Sequence, residues 1–353
     1  MHKYPFKAFI FAILLLHAFL SQAQPCTDWQ ITSPFNSRII SDSLPKAFTF
    51  LVSGHFHGAS TNVSGFPASS LQANIDSLNH IQPAFMVSLG DLFLDVDSTI
   101  IHNYRSSLFN KLQFPLFNAV GNHDLANGNI YEKFYGRTYS SFVLSNALFI
   151  ILNTELNDGS IKGEQLEFLT QILNISKEIK YVFLFSHRPI WSEENSKYDN
   201  LFADNTHSNF GNNFKSDVLP LLIEKKKTTQ IIWFSGSLGG LAPTSFFYDN
   251  DDGITFIQTA IRDLPRDAVL QVSVGDSVSF KGISLTGKKL EKIQNYNIQY
   301  WQQHNAPPPQ FSFRMLPYYC KMMLLHRYYW YGILSIIGLY FFFLIISKWR
   351  KRK

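Results

Sequence analysis

The sequence predicts an α/β domain tethered to one long apolar helix. Short apolar runs ending in Gly, Asn, Asp or His alternate with stretches whose apolar residues recur three and four apart, and a twenty-residue uncharged segment precedes a basic end. Near-continuous apolar runs of this length read as parallel strands buried on both faces. In chain order they predict strands over 47–52, 84–89, 115–120, 142–144, 148–153, 181–185, 230–234, 254–260 and 269–280. Helical spacing is found over 69–79, 102–112, 163–175 and 216–226. About 240 residues suffice for one well-buried core.

The two ends read differently. Residues 1–23 carry Lys3 and Lys7 before an apolar run over 9–20 and close on Ser21-Gln22-Ala23, the pattern of a secretory signal peptide. An N-terminal segment, 24–46, leads into the domain at 47–286. From 287 to 327 the pattern degrades into Gln, Asn, Tyr and Pro307-Pro308-Pro309, as in a stalk. Residues 328–347 contain no charge and are long enough, at about 1.5 Å per residue, to span a hydrocarbon layer of about 30 Å. The basic tail at 348–353 is expected to stay in the cytoplasm, with the domain on the extracytoplasmic side, periplasmic or extracellular, of a single-pass cell-membrane protein.

The formal charge of +5 comes from those ends. Setting aside two leader lysines and six basic residues from Arg327 onward leaves 23 Lys and Arg against 26 Asp and Glu, so no basic surface for nucleic acid is implied. Cys26 and Cys320 lie at the two ends of the ectodomain, where they either pair or stay as independent thiols.

Two strand ends carry chemistry. Gly90-Asp91 follows the run at 84–89, and Gly121-Asn122-His123-Asp124 follows the run at 115–120. The C-terminal ends of parallel strands are where open α/β sheets hold their ligands. An Asp can bridge cations, an Asn carbonyl adds a neutral oxygen, and a neighbouring His can protonate a leaving group. Gly, Asn and Asp also favour plain turns, which is the competing reading of either motif alone.

With Phe185-Ser186-His187-Arg188-Pro189 after a third strand, the chain resembles the calcineurin-like metallophosphoesterases from about residue 47 to 285. Tyr139-Ser140-Ser141-Phe142 with Leu152-Asn153-Thr154, and the helix opening at Gly163-Glu164-Gln165-Leu166, are similar to that family's spacers. The resemblance implies a four-layer α/β/β/α sandwich and a phosphoester substrate. It also implies metal ligands at Asp91, Asn122 and His187, and a proton donor at His123 oriented by Asp124.

The outer two of the family's five motifs depart from the pattern. Where an Asp-x-His is expected the chain reads Ser53-Gly54-His55-Phe56-His57-Gly58. Either His55 replaces the Asp with His57 as the His, the register that Gly58 favours, or Ser53 and His55 take those places. Where Gly-His-x-His is expected it reads Gly236-Ser237-Leu238-Gly239, without histidine. Carried over, one metal site keeps Asp91, Asn122 and His187, enough for a three-ligand site. The other keeps His57 and Asp91 with His55 as a substitute, and is the incomplete one. Imidazole in place of carboxylate favours one divalent transition metal (zinc, iron or manganese) over magnesium. Two functions remain open: a membrane-anchored phosphoesterase, and a pseudoenzyme that uses the fold for binding. The polar, aromatic stretch 191–211 suits a lid or rim, or an ordinary exposed loop.

Overall fold

The computed structural model describes residues 31–40, 46–175, 178–239, 242–304, 324 and 327–350. The segments expected to be a signal peptide (1–23) and, for the most part, a stalk (287–327) lie outside the described residues, as do Cys26 and Cys320. The chain divides into two compact units, 1–305 and 306–353.

In the first unit the strands are β1 (Phe48–Ser53), β2 (Met86–Ser88), β3 (Leu116–Asn118), β4 (Ser140–Leu144), β5 (Ala147–Ile151), β6 (Tyr181–Ser186), β7 (Gln230–Ser235), β8 (Phe246–Asp251), β9 (Ile254–Thr259), β10 (Ala268–Val274) and β11 (Val278–Ser284). They form a five-stranded sheet, β11-β10-β1-β2-β3, and a six-stranded sheet, β4-β5-β6-β7-β9-β8. Within these, β1-β2-β3 and β5-β6-β7-β9 run parallel. The helices are α1 (Ser69–Gln72), α2 (Ile75–His80), α3 (Ser98–Tyr104, continued by a π turn at Arg105–Phe109), α4 (Ile130–Tyr135), α5 (Glu164–Leu173), α6 (Leu219–Lys225) and α7 (Ile298–His304).

Strand alternation decides the layers, because successive side chains point to opposite faces. Phe50 and Val52 of β1, Val87 of β2, Phe149 of β5, Phe183 and Phe185 of β6 and Phe234 of β7 meet in a core between the sheets. Their neighbours Leu51 and Met86 face outward onto Leu71, Leu78 and Ile101 of α1, α2 and α3. Leu148, Val182 and Trp233 face outward onto Leu169 of α5 and Leu222 of α6. The result is the expected four-layer α/β/β/α sandwich. Its central layer is aromatic, with Phe50 stacked on Phe85 at 5.1 Å and edge-on to Phe149 at 5.4 Å, geometries that favour the ring quadrupoles.

Several elements differ from the sequence reading. The helix expected at 69–79 is broken at Ala73-Asn74, where the Asn74 amide donates to Ser70 O and to Leu285 O (2.8 Å each) and competes with the helix ladder. The single strand at 269–280 is a hairpin, turning at 275–277. β8 was not expected, yet it forms a hairpin with β9 through Asp252 and Gly253, both at positive φ (50° and 73°), as a two-residue hairpin turn demands. The boundary at 286 is also too early: Ile293 and Tyr296 enter the inter-sheet core, and Trp301 of α7 is buried against Phe202 and Phe247. Residues 287–304 are part of the domain, because these large apolar side chains have a face to bury on. Trp191, Tyr198 and Phe202, read as lid or exposed loop, are likewise core; Phe210 is 93% exposed.

In the second unit, α8 (Arg327–Arg350) contains a window, Tyr329–Ile346, of mean hydropathy 2.0. It is long and apolar enough to cross a membrane.

Candidate metal centre

The parallel strands bring their C-terminal ends to one edge of the sandwich, and each ends in a loop that presents a polar side chain. Asp91 stands at the centre. Its Oδ2 lies 3.6 Å from His55 Nε2, 3.9 Å from His57 Nε2 and 3.5 Å from His187 Nε2. All four side chains are buried. The ligating atoms of His55, His57 and Asp91 fall within 4.8 Å of one another. A tetrahedral ion with bonds of about 2.0–2.2 Å sets its ligands about 3.4 Å apart, close to the separations of 3.5–3.9 Å between the imidazoles and Asp91 Oδ2.

The backbone is bent to make this possible. His55 (φ 56°) and Asp91 (φ 52°) both adopt the left-handed region that non-glycine residues avoid, a strain concentrated at functional loops. Gly90 (φ 84°) precedes Asp91, and a Cβ there would sit 2.5 Å from His187 Nδ1. His55 N donates to Gly90 O (2.9 Å), tying the two loops together.

The donor set fits a metal on independent grounds. Both ring nitrogens of His55 and of His57 are buried with no hydrogen-bond partner, a rare condition for buried polar groups. Burial lowers the pKa of both rings, well below the ordinary value for His55. Burial alone would raise Asp91, but the surrounding imidazoles, His187 foremost, hold it well below the usual carboxylate range. Neutral imidazole and ionised carboxylate are the states that a cation requires. His187 Nδ1–H donates to Leu89 O (2.8 Å), which leaves its Nε2 lone pair toward Asp91. Three imidazoles and a carboxylate suit zinc, iron or manganese.

The expected ligands are regrouped. The set read as incomplete, His55, His57 and Asp91, is the one brought together, and His187 joins it at the same carboxylate oxygen. Asn122, placed with Asp91 and His187 by the sequence reading, is solvent-exposed. Ser53 Oγ, the alternative in the other register, is buried without a partner. The loop after β7 is packed tightly here: Gly236 N and Ser237 N both donate to His187 O (2.9 and 2.8 Å), and a Cβ on Gly236 would lie 2.0 Å from Leu89 O. The place expected to carry two histidines therefore presents glycine, serine and a buried leucine.

His123 lies at the partly open side, its ring 5.3 Å from that of His57 and its backbone N–H donating to Asp91 Oδ1 (3.2 Å). Asp124 does not orient it. The His123 Nδ1–H donates to Leu94 O (2.8 Å), whereas Asp124 accepts from Phe93 N (3.0 Å), Gly121 N (2.9 Å) and Asn118 Nδ2 (3.1 Å). Asp124 is fastened to the two loops by these donors, and Asn118 Nδ2 also donates to Tyr131 Oη (3.1 Å). Burial, then repulsion from Asp91, pushes its pKa up to about 6. Sequence reasoning also missed Asn118, whose Oδ1 accepts from Gly90 N (3.2 Å) and couples the two loops, and Arg262, whose charge acts on His55 and His57. Neither stands in a recognisable spacing.

No family model matches the chain, and no curated protein matches it. Among solved structures it is similar to a dimetal phosphatase from Danio rerio (14% identity, 67% of this chain and 96% of that one, TM-score 0.47). It is also similar to GAP50, the anchor in the inner membrane complex of Plasmodium (12%, 75% and 98%, TM-score 0.48). A third is a calcineurin-like phosphoesterase from Bacillus subtilis (12%, 73% and 97%, TM-score 0.31). At these values the likenesses carry no activity across, and the chemistry rests on the cluster's own geometry.

Proposed function

We propose that the protein is a membrane-anchored, metal-dependent phosphoesterase of the calcineurin-like type, with its domain on the extracytoplasmic side and α8 as a single span. The observation that carries this reading is the convergence of His55, His57 and His187 on one oxygen of Asp91, with four buried imidazole nitrogens otherwise unpartnered. When bound there, a divalent transition ion would polarise a phosphoryl oxygen and lower the pKa of a coordinated water toward about 7. Asp91, His55, His57 and His187 would hold it. His123, fixed through Nδ1 by Leu94 O, directs Nε2 as the proton donor to a leaving alkoxide, and so acts from the imidazolium form. Asp124 and Asn118 hold the two loops in register. The basic residues after the span support a cytoplasmic tail.

The histidine-free loop Gly236-Ser237-Leu238 supports a second reading, a metal-stabilised binding module without turnover. Metal analysis of the full chain in mild detergent separates them, together with assays on a phosphomonoester, a phosphodiester and a pyrophosphate. The expected result is close to one transition metal per chain, lost in Asp91→Ala and in His187→Ala, with hydrolysis of at least one substrate. Bound metal without hydrolysis favours the binding module. A chain that takes no zinc, manganese or iron sinks both.

A further inference from the structure

The segment after β9 runs along the cluster. Gly54 N donates to Thr259 O (3.0 Å), Ile261 N donates to Gly54 O (3.1 Å), and Gly54 and Ala260 form a parallel bridge. Arg262 therefore follows a segment tied to the residue that precedes His55. Its backbone N–H donates to Asp267 Oδ1 (2.9 Å), whose Oδ2 accepts from Ser70 Oγ (2.8 Å). The neighbouring Asp263 Oδ1 accepts from Ser69 Oγ and Ser70 N (3.0 Å each). Both nearby acids are thus engaged with α1.

The Arg262 guanidinium is left over. Its Nε is buried with no partner, and no ion pair involves it among the described residues. Arg266, four residues on, donates instead to Thr244 O (2.8 Å), Ser245 Oγ (3.4 Å) and Gly239 O (3.4 Å), and so fastens the loop after β7. Burial pulls the Arg262 pKa down, and the charges of Asp91 and Asp267 pull it up. An arginine stays charged at any physiological pH, and this one is partly buried with its Nε unpartnered and its guanidinium engaged by no side chain among the described residues. A ligand anion would satisfy it, and its planar fork matches the oxygens of a phosphoryl group.

We propose that Arg262 is an anion-binding residue of this site. It receives a phosphoryl oxygen beside His55 and Asp91, in a site where the buried loop Gly236-Ser237-Leu238-Gly239 offers no imidazole. The choice of phosphoryl as the anion rests on the phosphoesterase reading; the vacant guanidinium does not.

Equilibrium dialysis of radiolabelled inorganic phosphate against the full chain in detergent, with zinc and with chelator, tests it. Arg262→Met is expected to weaken phosphate binding about 10- to 100-fold, the loss of charge-assisted hydrogen bonds, with metal content unchanged. Arg262→Lys keeps the charge but loses the fork, and is expected to bind about 3- to 10-fold more weakly than the unaltered chain. If the methionine variant does not fold, the lysine variant decides. Phosphate affinity equal to that of the unaltered chain, in whichever variant folds, overturns the proposal, as does an unaltered chain that binds no phosphate at millimolar concentration. A chain without metal whose phosphate binding still depends on Arg262 upholds the proposal and removes the hydrolase reading. Metal bound and affinity insensitive to Arg262 overturns the proposal and leaves the hydrolase reading standing.

Discussion

Replacing Asp124 by asparagine should change the sign of its effect on stability as pH rises. Asp124 is fully buried, and burial with the nearby Asp91 charge raises its pKa from 3.8 to about 6. A carboxyl whose folded pKa is raised contributes stability that is fully present below the unfolded pKa and is lost as pH rises through the folded one. The gap corresponds to about 3 kcal/mol in total, of which about 2 kcal/mol falls between about pH 4.5 and about pH 7.5. Asparagine cannot ionise and escapes that loss. It brings its own defect, because one amide oxygen must serve Phe93 N, Gly121 N and Asn118 Nδ2 while the amide NH₂ opposes one of these donors, at about 1–3 kcal/mol. The Asp124→Asn chain should therefore be the less stable protein at about pH 4.5, and close to or above the unaltered one at about pH 7.5. Thermal unfolding in detergent with chelator, followed by tryptophan fluorescence, should show the difference in Tm moving in the variant's favour by about 5 °C across that range. A difference that stays constant with pH, or moves the other way, would refute the argument that Asp124 is a buried carboxyl held against its ionisation.

Other substitutions test neighbouring parts of the same argument. Gly236→Ala puts a Cβ 2.0 Å from Leu89 O and should destabilise by about 3 kcal/mol or more, read as a lower Tm and poor metal retention; a near-neutral effect would mean that the loop does not press on the Gly90-Asp91 turn. His55 and His57 have lowered pKa values, so the stability they contribute is present above 6.5 and lost as pH falls through it. In the Asp124→Asn background, where the opposing carboxyl is gone, Tm of the chelated protein should fall from about pH 7 to about pH 5, and a flat profile would contradict their burial as neutral rings. His123→Ala should reduce turnover of an alkyl phosphate about 10²- to 10⁴-fold and of an aryl phosphate much less, with metal content kept. Equal losses on both would remove His123 as the proton donor.

Much of the fold was legible because the strands are buried on both faces. Runs such as Tyr181–Ser186 and Gln230–Ser235 are apolar almost throughout, and that is the pattern of a sheet covered by helices. What was missed was set by local chemistry that hydrophobic spacing ignores. Asn74 breaks a helix with its side chain, and Asp252-Gly253 closes a hairpin. The Asp252-Gly253 signal was in the sequence, but β8, reading Phe-Phe-Tyr-Asp-Asn-Asp, ends in residues that suit strands poorly and hid it. The stretch 287–327 reads as a stalk because its pattern degrades into Gln, Asn, Tyr and Pro307-Pro308-Pro309, yet Ile293, Tyr296 and Trp301 are enough to dock 287–304.

The site was legible as a list of residues and not as an arrangement. His55, His57, Asp91, His123 and His187 each stand at a strand end, and strand ends of parallel sheets converge whatever the details. Which of them share an ion depends on loop conformation, and that is set by pairs distant in sequence. His55 and Asp91 are turned toward one another by positive φ at both residues and by the bond between His55 N and Gly90 O. Asn122, one residue from Gly121, is exposed, and the loop around it is pinned through Gly121 N and His123 N, to Asp124 and Asp91. Counting ligands by motif therefore names the imidazoles that gather at Asp91 without showing how they gather. Arg262 escaped for the opposite reason. It belongs to no spacing, and it becomes conspicuous only when the partners of Asp263, Asp267 and Arg266 are assigned and one guanidinium remains. A charge whose neighbours are all committed elsewhere can be found only from the complete set of contacts, and that is why it carries the sharper test of what the site binds.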